Sequence, residues 1–175
     1  MEYRELKREE LTLLREIERS EVVKEVYYCK NNRLSLVDEF YDIQGWDLDE
    51  LNSFISRLYD IYDRNGTVLG AFDNDKIVGL VALDSKAIGK NNDQLKLDML
   101  YVSSTYRNKG IGKCLMNKIS RKAKDLGAKS LYISATPFRN TVDFYSRVGA
   151  KLTDEIIKEL YDLEPEDIHM VLDLN

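Results

Sequence analysis

Between Leu95 and Leu126 an apolar strand runs through a turn of basic and small residues into a helix, and this is the sharpest signal in the chain. Leu95–Val102 reads as the strand. Ile111, Leu115, Ile119, Ala123 and Leu126 recur at helical spacing, and Gly127 stands where a helix commonly closes. The turn itself is Tyr101-Val102-Ser103-Ser104-Thr105-Tyr106-Arg107-Asn108-Lys109-Gly110-Ile111-Gly112-Lys113. The first N–H groups of the helix that follows lack internal partners and carry the positive end of its dipole. Gly110 and Gly112 let an anion approach the backbone, and Arg107, Lys109 and Lys113 add positive charge. A pyrophosphate suits this turn. A tight turn followed by a solvated, basic helix start is the plain alternative.

The remaining elements frame that segment. Tyr3–Lys7 suggests a short strand. Leu13, Leu14, Ile17, Val22, Val23, Val26 and Tyr27 recur at helical spacing, so a first helix is expected there, with residues 29–46 irregular. Asp47 and Glu50 form a capping-box-like pair ahead of a second helix with the stripe Leu51, Phe54, Ile55, Leu58, Tyr62. Thr67–Phe72 and Lys76–Leu83 read as strands around Asp73-Asn74-Asp75. Past the long helix come a strand at Ser130–Ala135, a short helix at Thr141–Val148 closed by Gly149, and strands near Lys151–Ile157 and Ile168–Leu174. One mixed α/β domain over residues 1–175 is expected, with helices on the faces of its sheet.

Composition removes several function classes. A net charge of -5 argues against a non-specific grip on nucleic acid or an anionic membrane. Cys29 and Cys114 have no metal-ligand spacing and His169 is the single histidine, so no metal site is expected. Position His169 midway along the last strand suggests a structural role. The charged opening Met1–Leu6 lacks the apolar core of a signal peptide, and no apolar run approaches the roughly 20 residues of a membrane span. Together with two unlinked cysteines this suggests a soluble, cytoplasmic protein. No signal sets the oligomeric state, and a homodimer stays open.

The turn fits neither of two familiar phosphate sites. The third glycine of a dinucleotide fingerprint is replaced by Leu115, and no Gly-Lys-Ser/Thr follows as in a P-loop. Instead Arg107-Asn108-Lys109-Gly110-Ile111-Gly112 resembles the Arg/Gln-x-x-Gly-x-Gly/Ala signature of the GNAT superfamily of acyl-CoA-dependent N-acyltransferases. Asn140-Thr141-Val142-Asp143-Phe144-Tyr145-Ser146-Arg147-Val148-Gly149 resembles its second signature, an Asn followed five residues on by Tyr and then Gly. The likeness is motif-specific from Val68 onward and general before it.

The resemblance implies a mostly antiparallel central sheet with helices on both faces, and transfer of an acetyl group from acetyl-CoA to a primary amine of a small molecule or peptide. It implies that the amides from Asn108 to Lys113 (Asn108, Lys109, Gly110, Ile111, Gly112, Lys113), with Arg107, bind the pyrophosphate of CoA. It further implies that Leu100, Tyr101 and Val102 pair with the pantetheine arm, with the Leu100 N–H near the acetyl carbonyl. Asn140 would hydrogen-bond the pantetheine and Tyr145 would face the sulfur. The region holding Glu18, Glu21, Asp38, Glu39 and Trp46 would line the acceptor site, Glu21 and Trp46 in particular.

The chemistry asks for three things. An alkylamine of pKa about 10.4 is neutral to only about one part in 2,500 at pH 7, so a carboxylate that takes its proton is useful. An oxyanion needs a donor, which a strand amide supplies without reorganising. The departing thiolate needs a proton, and a phenol of pKa about 10 gives it up to a thiolate of pKa about 8.5 at roughly 2 kcal/mol. Tyr145 is the expected acid; with Val142 and Val148 it could equally be a core tyrosine. Family members often carry a Glu on the strand entering the turn, where this chain has Lys96 or a neighbour. Asp98, two residues on and on the same face, is the expected base, a salt-bridged strand acid being the alternative. A catalytically silent acyl-CoA-binding module is the rival from another class, and it would not need Tyr145.

Overall fold

The computed structural model describes residues 1–174. Seven strands form one sheet: β1 (Glu2–Glu5), β4 (Thr67–Asp73), β5 (Lys76–Ile88), β6 (Gln94–Val102), β7 (Ser130–Ala135), β8 (Lys151–Leu152) and β9 (Ile168–Asp173). Their order is β1-β4-β5-β6-β7-β9-β8. Every pairing is antiparallel except β6 with β7. A separate hairpin consists of β2 (Glu21–Lys30) and β3 (Arg33–Ile43).

Helices cover both faces, as expected. On one face α1 (Leu48–Asp63) packs Leu51, Ile55, Leu58 and Ile61 with Met99 of β6. Asp47 starts α1 by accepting the N–H groups of Asp49 and Glu50, each at 3.0 Å. On the other face α2 (Ile111–Asp125) buries Ile111, Leu115, Met116, Ile119 and Ala123. Beside it α3 (Arg139–Arg147) buries Val142 and Tyr145. Among the described residues no helix is long and apolar enough to cross a membrane, and both cysteines are free.

The first third of the chain departs from the sequence expectation. The helix expected through Leu13–Tyr27 is a 3-10 helix at Arg8–Glu16 followed by β2, and the irregular stretch 29–46 is mostly β3. The register between β2 and β3 shifts between Val23 and Glu25. Strict alternation is therefore broken, and the two buried valines of β2, Val23 and Val26, fall three residues apart. That spacing imitates a helix. The overlooked signal is Asn31-Asn32, with φ of 51° and 56°, between the paired Lys30 and Arg33. Two consecutive positive-φ residues make the tight turn that right-twisted strands prefer, and asparagine tolerates it. Near the C-terminus the expected strand Lys151–Ile157 shrinks to β8, and α4 (Lys158–Leu163) follows.

The hairpin is anchored where it matters for the site. The Tyr27 N–H donates to the Pro137 carbonyl at 2.7 Å, and the Tyr27 hydroxyl donates to Asp143 at 2.8 Å. Its leading residues tie to the turn after β6: the Glu18 N–H donates to Ser103 Oγ at 3.0 Å and the Ser104 N–H to the Glu18 carbonyl at 2.9 Å.

Candidate active site

Strands β6 and β7 pair only from Gln94–Leu97 to Ser130–Ile133 and then part. On its other edge β6 stays paired with β5 as far as Val102. Alternate backbone groups of the last residues of β6 therefore face a cleft rather than a strand. The cleft has a volume of about 1000 Å³ and is lined by Leu100, Tyr101 and Val102 on one side and Ser134 and Ala135 on the other. The Ser134 hydroxyl is buried there without a hydrogen-bond partner among the described residues. A buried polar group left unpaired is costly, so a bound molecule with a hydrogen-bonding arm is suited to this gap.

A bulge turns β6 as it enters the cleft. Leu97 stands opposite Leu83 and Met99 opposite Ala82, so Asp98 is one residue too many. The inserted residue switches the alternation. Leu95 and Leu97 belong to the core beneath α2 and so do Leu100 and Val102, whereas Met99 and Tyr101 join the core beneath α1.

At the head of the cleft the turn leads into the N-terminus of α2. Asn108 has φ 61° and Gly110 has φ 81°. The two glycines serve different ends. A Cβ on Gly110 would meet nothing within 4 Å, so the backbone conformation is what requires glycine there. A Cβ on Gly112 would lie 3.2 Å from the Phe144 ring, so that glycine admits α3 closely against α2. No acid occupies the first turn of α2, and Arg107, Asn108, Gly110, Ile111, Gly112 and Lys113 line the cleft. These residues fit a diphosphate.

Lys109 does not line the cleft; its ammonium lies over the Tyr106 ring, 4.9 Å from the centroid. Arg107 donates from Nε to the Val102 carbonyl at 3.1 Å, and its other face is 3.5 Å from Glu21. The Asn140 amide also donates to Glu21, at 3.5 Å. Glu21, expected with the acceptor, thus stands with the residues expected to hold CoA.

At the far end Tyr101 packs against Trp46 and Phe54, with ring centroids 4.9 Å and 6.0 Å away. Burial pushes the Tyr101 hydroxyl up to about 12. Trp46 does not line the cleft. It backs Tyr101 and Phe54 while its Nε1–H donates to the Ile17 carbonyl at 2.7 Å.

The Asp98 side chain is 4% exposed and held between two cations, with Oδ2 2.7 Å from Arg57 Nε and Oδ1 3.0 Å from Lys96 Nζ. The Arg57 contact is ionic rather than an aligned hydrogen bond. Both carboxylate oxygens are thus engaged, and the salt-bridged alternative describes Asp98 as it stands.

Tyr145 is 7% exposed, lines the cleft, and has no hydrogen-bond partner among the described residues. Burial, reinforced by Tyr101 and Asp167 nearby, raises its pKa, so the phenol keeps its proton at neutral pH. His169 is structural: burial lowers its pKa, Nδ1 bonds the Tyr132 hydroxyl at 2.8 Å, and Nε2 lies 3.3 Å from the Glu164 carbonyl.

Four charged residues at this end were not legible as site residues: Arg19, Arg57, Glu164 and Asp167. Arg19 pairs with Glu50 at 3.4 Å, and Glu164 lies 3.9 Å from Arg57. Glu164 and Asp167 sit on the loop before β9, and only the placement of β9 beside β7 brings that loop to the cleft. Among the described residues no group of three His, Cys, Asp or Glu is placed to hold a metal ion.

Comparison with known proteins gives this geometry a context. The profile of the acetyltransferase (GNAT) family matches residues 33–150. No curated protein matches the chain significantly. Among solved structures, a putative streptothricin acetyltransferase from Bacillus anthracis str. Ames, in complex with acetyl coenzyme A, superposes with a TM-score of 0.74. It is 17% identical, and the match covers 99% of this chain and 98% of that one. A nourseothricin acetyltransferase is also 17% identical, with a TM-score of 0.72 over 99% of this chain and 98% of that one. The paia N-acetyltransferase of Thermoplasma acidophilum, in complex with coenzyme A, is 21% identical. Its TM-score is 0.65, with 98% of each chain covered.

Proposed function

The chain belongs to the GNAT acetyltransferase family, and on that premise we propose that it transfers an acetyl group from acetyl-CoA to a primary amine by direct attack, with Tyr145 as general acid. The observation that carries this reading is the parting of β6 from β7 directly below the N-terminus of α2, with a protonated phenol facing the gap.

The amides from Asn108 to Lys113 hold the pyrophosphate at the positive end of α2, and Arg107 adds charge. The unpaired edge of β6 at Leu100, Tyr101 and Val102 takes the pantetheine arm, with Asn140 and the idle Ser134 hydroxyl as further partners. The Leu100 N–H serves as the donor at the acyl oxygen, fixed by the strand and needing no reorganisation. Tyr145 gives its proton to the departing thiolate.

Acetyl-CoA is expected to raise the melting temperature through ligand linkage. Arg107→Ala should weaken CoA binding and leave a pantetheine fragment without the pyrophosphate nearly unaffected, as read by calorimetry. Equal loss for both ligands would place the phosphates elsewhere.

A further inference from the structure

A second cavity, of about 510 Å³, lies between the β2–β3 hairpin and the segment from Leu152 to His169. Tyr27, Tyr28, Tyr41, Phe138 and Tyr161 contribute aromatic rings to its walls. Its charges are all of one sign. Glu39, Glu166 and Asp167 line it, no Lys or Arg does among the described residues, and the one histidine there, His169, is kept neutral by burial. The Tyr28 and Tyr41 hydroxyls both donate to Glu39, the latter at 2.7 Å. Those bonds lower the Glu39 pKa and fix it as a carboxylate.

The cavity is joined to the cleft. Thr136, Phe138 and Asp167 line both. Asp167 therefore has the acceptor-sized space on one side and Tyr145 on the other, near enough for its charge to act on the phenol. Aromatic faces and carboxylates without a competing cation select an organic cation.

Building on the transferase reading, we propose that the acceptor is a polycationic amine bound in this second cavity, and that its reacting ammonium gives its proton to Asp167. The proton balance closes. Asp167 takes one proton from the ammonium and later releases it to water. The freed amine bonds to the acyl carbon as the carbon–sulfur bond breaks. Tyr145 protonates the sulfur and recovers the second nitrogen proton.

The surroundings of Asp167 suit the task. Burial and the neighbouring Glu164 carboxyl raise it to about 7, opposed by Lys96 and Arg57, whose nearest carboxylate is Asp98. A base poised there is about half unprotonated at neutral pH and still holds a proton well. Asp98, with both oxygens engaged by cations, is less available.

The test compares linear α,ω-diamines with n-alkylamines of equal chain length, with acetyl-CoA as donor. Wild-type kcat/KM is expected to favour the diamines and to rise through an inflection near pH 7. Glu164→Gln, which removes the neighbouring carboxylate, should move that inflection to lower pH. Asp167→Asn should lower kcat/KM at pH 7 by on the order of 10²-fold or more, with acetyl-CoA affinity kept and the gap narrowing as pH nears the amine's own pKa. Glu39→Gln should raise KM for the diamines alone. If Asp167→Asn does not fold, the wild-type profile decides, and a profile without an inflection near 7 overturns the proposal. If n-alkylamines match the diamines and Asp167→Asn keeps the wild-type rate and profile, the proposal fails and the transferase reading stands. If no amine is acetylated although acetyl-CoA binds, both fail together.

Discussion

Tyr145→Phe lowers kcat by on the order of 10²–10⁴-fold, the usual contribution of a positioned acid, with little change in acetyl-CoA affinity or thermal stability. The ring keeps its packing against Phe144, whose centroid is 5.3 Å away. The lost hydroxyl had no hydrogen-bond partner among the described residues, so no buried group is orphaned by its removal. A donor whose leaving thiol has a lower pKa should lose less, because that thiol departs without help. The raised pKa of Tyr145 carries a sign as well: the phenol stays protonated throughout neutral and mildly alkaline pH, while the same burial makes it a weaker acid, so passing its proton to the thiolate costs more than for an ordinary tyrosine. Turnover within a few-fold of wild type would leave the phenol as packing only, with water supplying the proton.

Gly110→Val should abolish most of the stabilisation that acetyl-CoA confers. At φ 81° a β-branched residue is strained by roughly 1–2 kcal/mol whatever the space around it, and relief of that strain reshapes the amides at the start of α2. Gly112→Ala provides the contrast. Its Cβ would press on Phe144 at 3.2 Å, so its effect should appear as lost stability without ligand, before any effect on binding. Differential scanning fluorimetry of both variants, with and without acetyl-CoA, separates the two glycines. A ligand-induced shift as large in Gly110→Val as in wild type would remove the turn from the binding site.

The legible part of the fold was the part with strong periodicity or obligatory turn chemistry. From Thr67 onward, strands and helices alternate with apolar faces that core packing imposes, and both signatures fall on the cleft. The hairpin was not legible, because β3 is exposed along most of its length and shows no alternation, while the broken register of β2 imitated a helix. Asp98 was legible as an unusual strand acid, yet its partner Arg57 comes from α1, 41 positions earlier in the chain, and no local pattern announces such a pairing. Asp167 lay in an acidic loop with nothing to distinguish it from Glu164 or Glu166. Only the neighbourhood of β7 and β9 sets it apart. Glu21 and Trp46 were named from their region alone, and only the fold shows their contacts: one meets Arg107 and Asn140, the other supports Tyr101 from behind.

The transfer itself is the central claim, and one measurement reaches it most directly: thiol release from acetyl-CoA followed across a panel of primary amines, with the amine product weighed by mass spectrometry. Thiol release that depends on the amine, matched by an amine product heavier by one acetyl group and lost together in Tyr145→Phe, is the predicted result. Acetyl-CoA that binds and stabilises the protein yet releases no thiol with any amine would contradict it, and would leave the chain a catalytically silent acyl-CoA-binding module.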